Sequence, residues 1–104
     1  MTDQKQDPKL RSEVERGRQA NELLENPLIK EAFETIRSRY MSEWENSPAR
    51  DSAGREKIWT YLKQLEAVKA HLSEVVTTGK MAQMEQEQRS LVERLKDGID
   101  SFVG

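Results

Sequence analysis

His71 is the single histidine of the chain and the side chain best suited to moving a proton near neutral pH. A general base needs a nucleophile within reach and a second group to orient its ring. Its neighbours in the pattern are Lys69, Leu72 and Glu74, which make neither constellation, so His71 reads as a partly exposed helical residue. Metal chemistry fails on the same count. There is one histidine, no cysteine, and the carboxylates are scattered over polar positions. Glu31, Glu34, Glu43, Glu66 and Glu85 fall away from the apolar stripes, where charge keeps helices in water and helps neighbouring pairs. The five glycines stand at 17, 54, 79, 98 and 104, too dispersed for a phosphate-cradling loop. No catalytic residue, cofactor or metal is expected.

The basic residues suggest different chemistry. Lys9, Arg11, Arg16 and Arg18 crowd the N-terminal segment and are the candidate nucleic-acid contacts. Arg37 and Arg39 precede Tyr40, and Arg50, Arg55 and Lys57 follow the next connection. Glu13, Glu15, Asp51 and Glu56 are interleaved with them, which fits an ordinary mixed-charge surface. With 17 basic against 19 acidic residues the net charge is −2, and a strong, sequence-independent polyphosphate binder usually carries a basic excess. A weak patch repeated around an oligomer would still count through multivalency. A helix-turn-helix is disfavoured, because the connection around Ser47 is long and contains Pro48.

Five of the six aromatic residues gather around that connection: Phe33, Tyr40 and Trp44 before it, Trp59 and Tyr61 after it. Paired antiparallel helices would bring the two groups together. The simplest reading is a hairpin core. Trp and Tyr are also enriched at interface hot spots, and residues two apart on a helix diverge by about 200°. Trp59 and Tyr61 therefore do not share one stripe, and one of them is expected at a subunit contact. The candidate protein interface is Phe33, Tyr40, Trp44, Trp59, Tyr61 and Leu62, with Leu91 and Leu95 on a later segment.

The elements that position these groups are helical. Leu10, Val14, Leu23 and Leu24 give a sparse stripe over 9–25, interrupted by Gly17. Asn26-Pro27 is an N-cap followed by a proline at the first helical position. Ile29, Phe33, Ile36, Tyr40 and Trp44 then mark one face of a helix over 27–45. Asn46-Ser47-Pro48 ends it, and either Ser47-Pro48 or Asp51-Ser52 begins the next. Ile58, Leu62, Leu65, Val68, Leu72 and Val75 or Val76 carry the stripe on, and Thr77-Thr78-Gly79 is the expected end of a helix over 52–78. A last helix over 81–102 carries Met84, Gln88, Leu91, Leu95 and Phe102, with Val92 and Ile99 beside them, a short coiled-coil-like seam weakened by Gln88 and Gly98.

The expected architecture is all-α. It has a disordered start at 1–8, a helical domain at 9–80 containing a central antiparallel hairpin at 27–79, and a C-terminal amphipathic helix at 81–104. At 104 residues and 35% hydrophobic content, such a hairpin buries little surface, and with no cysteine to staple it, self-association into an oligomeric bundle is the expected remedy. No apolar run approaches the ~20 residues needed to span a bilayer, and Met-Thr-Asp-Gln-Lys is too polar for a signal peptide, so a soluble, intracellular protein without membrane contact is expected.

Gly17-Arg18-Gln19-Ala20, Glu22-Leu23-Leu24-Glu25-Asn26-Pro27-Leu28 and Glu31-Ala32-Phe33 resemble the opening of small helical proteins of tailed phages and prophages. The resemblance continues through Trp44, Ser47-Pro48-Ala49-Arg50-Asp51, Arg55-Glu56, Trp59, the stretch Leu62 to Leu72, and Thr78-Gly79-Lys80. Such proteins are encoded among packaging and head-morphogenesis genes. The resemblance implies a non-enzymatic homo-oligomer in the host cytoplasm or on the virion. Its partners would be itself, phage packaging or head proteins and, weakly, DNA. A small-terminase-like packaging role or a head-assembly role follows from this. A helical adaptor or inhibitor that docks on one host protein, for example of a defence system, is the alternative. No functional residue carries over from the resemblance.

Overall fold

A computed structural model describes residues 7–103, with side chains through residue 99, and all its regular structure is helical. Three helices account for it: α1 (Pro8–Glu25), α2 (Pro27–Asn46) and α3 (Ser52–Val103), with no strand among the described residues.

Each helix begins on a short polar side chain that satisfies amide donors left open by the first turn. Asp7 Oδ1 accepts from the Lys9 amide at 2.8 Å, ahead of Pro8. Asn26, in an extended conformation, accepts from the Leu28 amide at 2.8 Å and the Ile29 amide at 3.3 Å, ahead of Pro27. Asp51 Oδ1 accepts from the Gly54 amide at 3.0 Å and its carbonyl from the Arg55 amide at 3.0 Å. Of the two starts open for the third helix, Asp51-Ser52 is the one used. Pro8 is already helical, so the disordered start expected through residue 8 is corrected at that end, and its residues 1–6 lie outside the described residues.

The α2–α3 connection is tied by two side chains, Ser47 and Arg55. The Ser47 hydroxyl donates to the Trp44 carbonyl at 2.6 Å. Arg55 donates to the Ser47 hydroxyl at 3.0 Å, the Ser47 carbonyl at 3.3 Å and the Trp44 carbonyl at 3.5 Å, and its guanidinium carbon lies 3.9 Å from the centre of the Trp44 ring. A cation thus covers the carbonyl end of α2, where the helix dipole favours positive charge.

The expected break at Thr77-Thr78-Gly79 is absent. Gly79 keeps ordinary helical backbone with no positive φ, and α3 continues through the segment expected to be a separate helix over 81–102. Gly79 serves close approach instead. A Cβ on Gly79 would lie 2.8 Å from Gly17 Cα and 2.9 Å from the Glu13 carbonyl oxygen, and one on Gly17 would lie 2.8 Å from Gly79 Cα and 3.2 Å from the Val75 carbonyl oxygen.

The chain falls into two units, one of residues to Ala20 with those from Val75 on, the other Asn21–Glu74. The first contains the glycine crossing and every buried hydrophobic side chain among the described residues, Leu10, Ala20 and Ala82. The second contains no fully buried residue.

Candidate interaction surfaces

Within the unit Asn21–Glu74, contacts between α2 and α3 join Trp44 with Arg55 and Tyr40 with Tyr61, and Phe33, Leu65 and Lys69 line one groove. The Tyr40 and Tyr61 rings are 5.5 Å apart and tilted by 35°, within the range of favourable aromatic pairs. Leu62 and Phe33 are half-buried. Trp59 turns away, 56% exposed, with the Lys63 ammonium 5.6 Å from its ring centre. Tyr61 packs on Tyr40 yet keeps an exposed edge, as does Trp44. Between the two aromatic residues that could not share a stripe, Trp59 is the outward one. Beside Phe33 lies a groove of about 390 Å³ lined by Leu24, Ile29, Lys30, Glu34, Lys69 and Ser73.

The candidate nucleic-acid contacts do not converge. At about 100° per residue, Lys9 and Arg16 share one side of α1, Arg11 and Arg18 share another, and the sides are roughly 160° apart. All four are exposed. Arg18 is held by Glu15, with its Nε 2.9 Å from Oε2, and this hydrogen bond first, then the positive charge, lowers the Glu15 pKa below its ordinary value. Asp7 is lowered too, chiefly by the Lys9 amide and also by Arg89, whose Nη1 lies 3.4 Å from Oδ2. Arg89 in turn pairs with Glu85 at 2.9 Å.

Leu91 and Leu95 lie on a helical face open to solvent, joined there by Met81, Met84, Val92 and Ile99. Phe102 belongs to the same expected seam, and its side chain lies outside the described residues. His71 and the five glutamates set aside above are exposed, and no group of three or more metal-ligating side chains occurs among the described residues. Among the described residues no helix is long and apolar enough to cross a membrane. The surfaces thus offer apolar and aromatic contact area with mixed charge around it.

Three features escaped the sequence reading. The clamp formed by Arg55 had one visible signal, a cation following a helix end that carries a tryptophan. The glycine crossing had the two isolated glycines inside helical patterns. The outward position of Met81, three residues before the seam residue Met84, was visible as apolar spacing, although that spacing does not say which side a partner helix takes. Compared with protein-family models, curated proteins and solved structures, the chain matches none.

Proposed function

We propose that the chain is a non-enzymatic, phage-derived protein that works by self-association through helical faces, as a small-terminase-like packaging accessory or a head-assembly component. A central antiparallel hairpin of α2 with the first half of α3 is its organising element. The observation that carries this reading is the scarcity of burial. Among the described residues Leu10, Ala20 and Ala82 are the buried hydrophobic ones, while Trp44, Trp59, Tyr61, Leu91 and Leu95 stand exposed. A chain with so little core gains stability by covering those faces with protein. The resemblance to phage assembly proteins supplies the setting.

Absolute mass by light scattering at two concentrations tests it. A discrete assembly is expected, and a monomer at both concentrations would refute self-association. For the packaging role, Arg11→Ala with Arg16→Ala and Arg18→Ala should abolish DNA retention at low salt and leave the mass unchanged. Unchanged retention, or none in the parent chain, ends the DNA role.

One observation favours the second reading, an adaptor or inhibitor on a single host protein. The basic residues of α1 are divided between two sides, and one of them is already held by Glu15, so a single duplex would meet only part of the set. In that case charge removal is silent, and Trp59→Ala breaks partner capture.

A further inference from the structure

We propose that a second copy of this chain covers the outward face of α3 between Met81 and Ile99, forming a parallel, in-register two-helix seam. The inference rests on the self-association part of the function proposed above, and it adds the surface, the orientation and the register.

Within the unit that contains it, this stretch of α3 has two opposed sides. Val75, Gly79 and Ala82 lie on the side that meets α1, where Gly79 approaches Gly17. Met81, Met84, Leu91, Val92, Leu95 and Ile99 lie within an arc of about 100° whose centre is roughly 160° away from the α1 side. All six are 50–65% exposed. An apolar helical face of six large side chains is rarely left to solvent in a monomer. Because the α1 contact is on the other side, pairing through this face leaves that contact intact.

Area and charge argue for a copy of the same chain. Each such side chain carries on the order of 100 Å² of apolar surface, of which 50–65% is exposed, so the six contribute roughly 350 Å² per copy and about 700 Å² over both. The aliphatic stems of Lys80, Glu87 and Arg94, which flank the face, bring the total toward the ~1,200 Å² of specific interfaces. The polar member of the face sets the orientation. Gln88 falls between Met84 and Leu91 at a seam position. In a parallel, in-register pair its amide meets the same amide of the second copy, and both are satisfied. An antiparallel pair that layers Leu91 on Val92 would set Gln88 against Leu95 and leave the amide among apolar groups. The flanks agree: Lys80 of one copy then faces Glu85 of the other, and Glu87 and Arg94 face Val92 and Ile99, with no like-charge contact.

The chain has no cysteine, so a single introduced thiol reads the seam directly. In the full-length protein under mild oxidation, Gln88→Cys should give a disulfide-linked dimer. Gln83→Cys, about 130° from the centre of the face, should not. The companion variant is Leu91→Asp with Leu95→Asp, which should lower the light-scattering mass by about half and keep the helical circular-dichroism signal. Linkage at Val92→Cys without linkage at Gln88→Cys would overturn the parallel register, because antiparallel pairing separates the two residues 88 by about 10 Å. An unchanged mass in the double variant of a self-associating parent would overturn the seam while self-association stands. A monomeric parent would overturn both.

Discussion

Replacing Gly79 by alanine separates two effects that ordinarily oppose each other. In an isolated helix the change is favourable by about 0.5–1 kcal/mol, because glycine loses more backbone freedom on folding. At Gly79 the added Cβ would lie 2.8 Å from Gly17 Cα and 2.9 Å from the Glu13 carbonyl oxygen. Both atoms belong to the α1 backbone and cannot rotate aside, so α1 must shift, an overpacking cost of about 1–3 kcal/mol. Gly98, on the same helix, has nothing within 4 Å of the equivalent Cβ. Gly98→Ala therefore reports the propensity gain without a clash inside the chain. The two variants should differ by about 1–3 kcal/mol, with Gly98→Ala melting higher by at least about 4 °C at equal protein concentration. Thermal unfolding followed by circular dichroism, checked by urea titration, measures the difference. Equal gains in the two variants would mean that α1 and α3 do not approach at Gly17 and Gly79 in solution, and the account of the buried unit would be wrong. Gly17→Ala should repeat the loss, since its Cβ would meet Gly79 Cα at 2.8 Å.

Arg55→Lys should destabilise by about 1 kcal/mol despite keeping the charge, because lysine cannot both lie flat on Trp44 and donate to the Ser47 and Trp44 oxygens. A urea midpoint unchanged from the parent would refute the clamp. Asp7 supplies a pH dependence. Its folded pKa is lowered, so its contribution to stability is complete above the ordinary carboxylate value and is lost as pH falls through the lowered one. Asp7→Asn should flatten that acid limb, measured as melting temperature against pH, and an unaltered limb would assign it to other carboxylates.

Helix starts were the most legible feature of the sequence, and for a local reason. Asn26-Pro27 announces a helix through chemistry contained in a few adjacent residues, and the structure places the cap there. The stripe from Ile29 to Trp44 was equally legible, since 3.6-residue periodicity belongs to one helix at a time. The course of α3 through Gly79 was not. Glycine after a threonine pair carries the sequence signature of a helix end, and only the presence of Gly17 on another helix distinguishes a cap from a crossing. For the same reason the packed side of α1 was hard to read: it is made of Leu10, Gly17 and Ala20, and small residues barely register in a count of large apolar positions. Among the candidate surface residues, periodicity put Leu91 and Leu95 on one face. It could not assign Trp59 to solvent and Tyr61 to Tyr40, because that depends on how α3 is rotated against α2.

The glycine crossing also acts as a ruler. On α1 the residues on either side of Gly17 are Arg16 and Arg18, and on α3 those on either side of Gly79 are Thr78 and Lys80. A slip of a single residue in either helix would bring a branched or long charged side chain to a point with room for a hydrogen atom. One turn along each helix the small residues Ala20 and Ala82 come next, so only a slip of a whole turn brings a small side chain back to the crossing. α1 therefore has no path of single-residue steps along α3. Its motion is release and return of the whole segment, and the protected amides of Leu10 to Ala20 should exchange with solvent together, at one common rate.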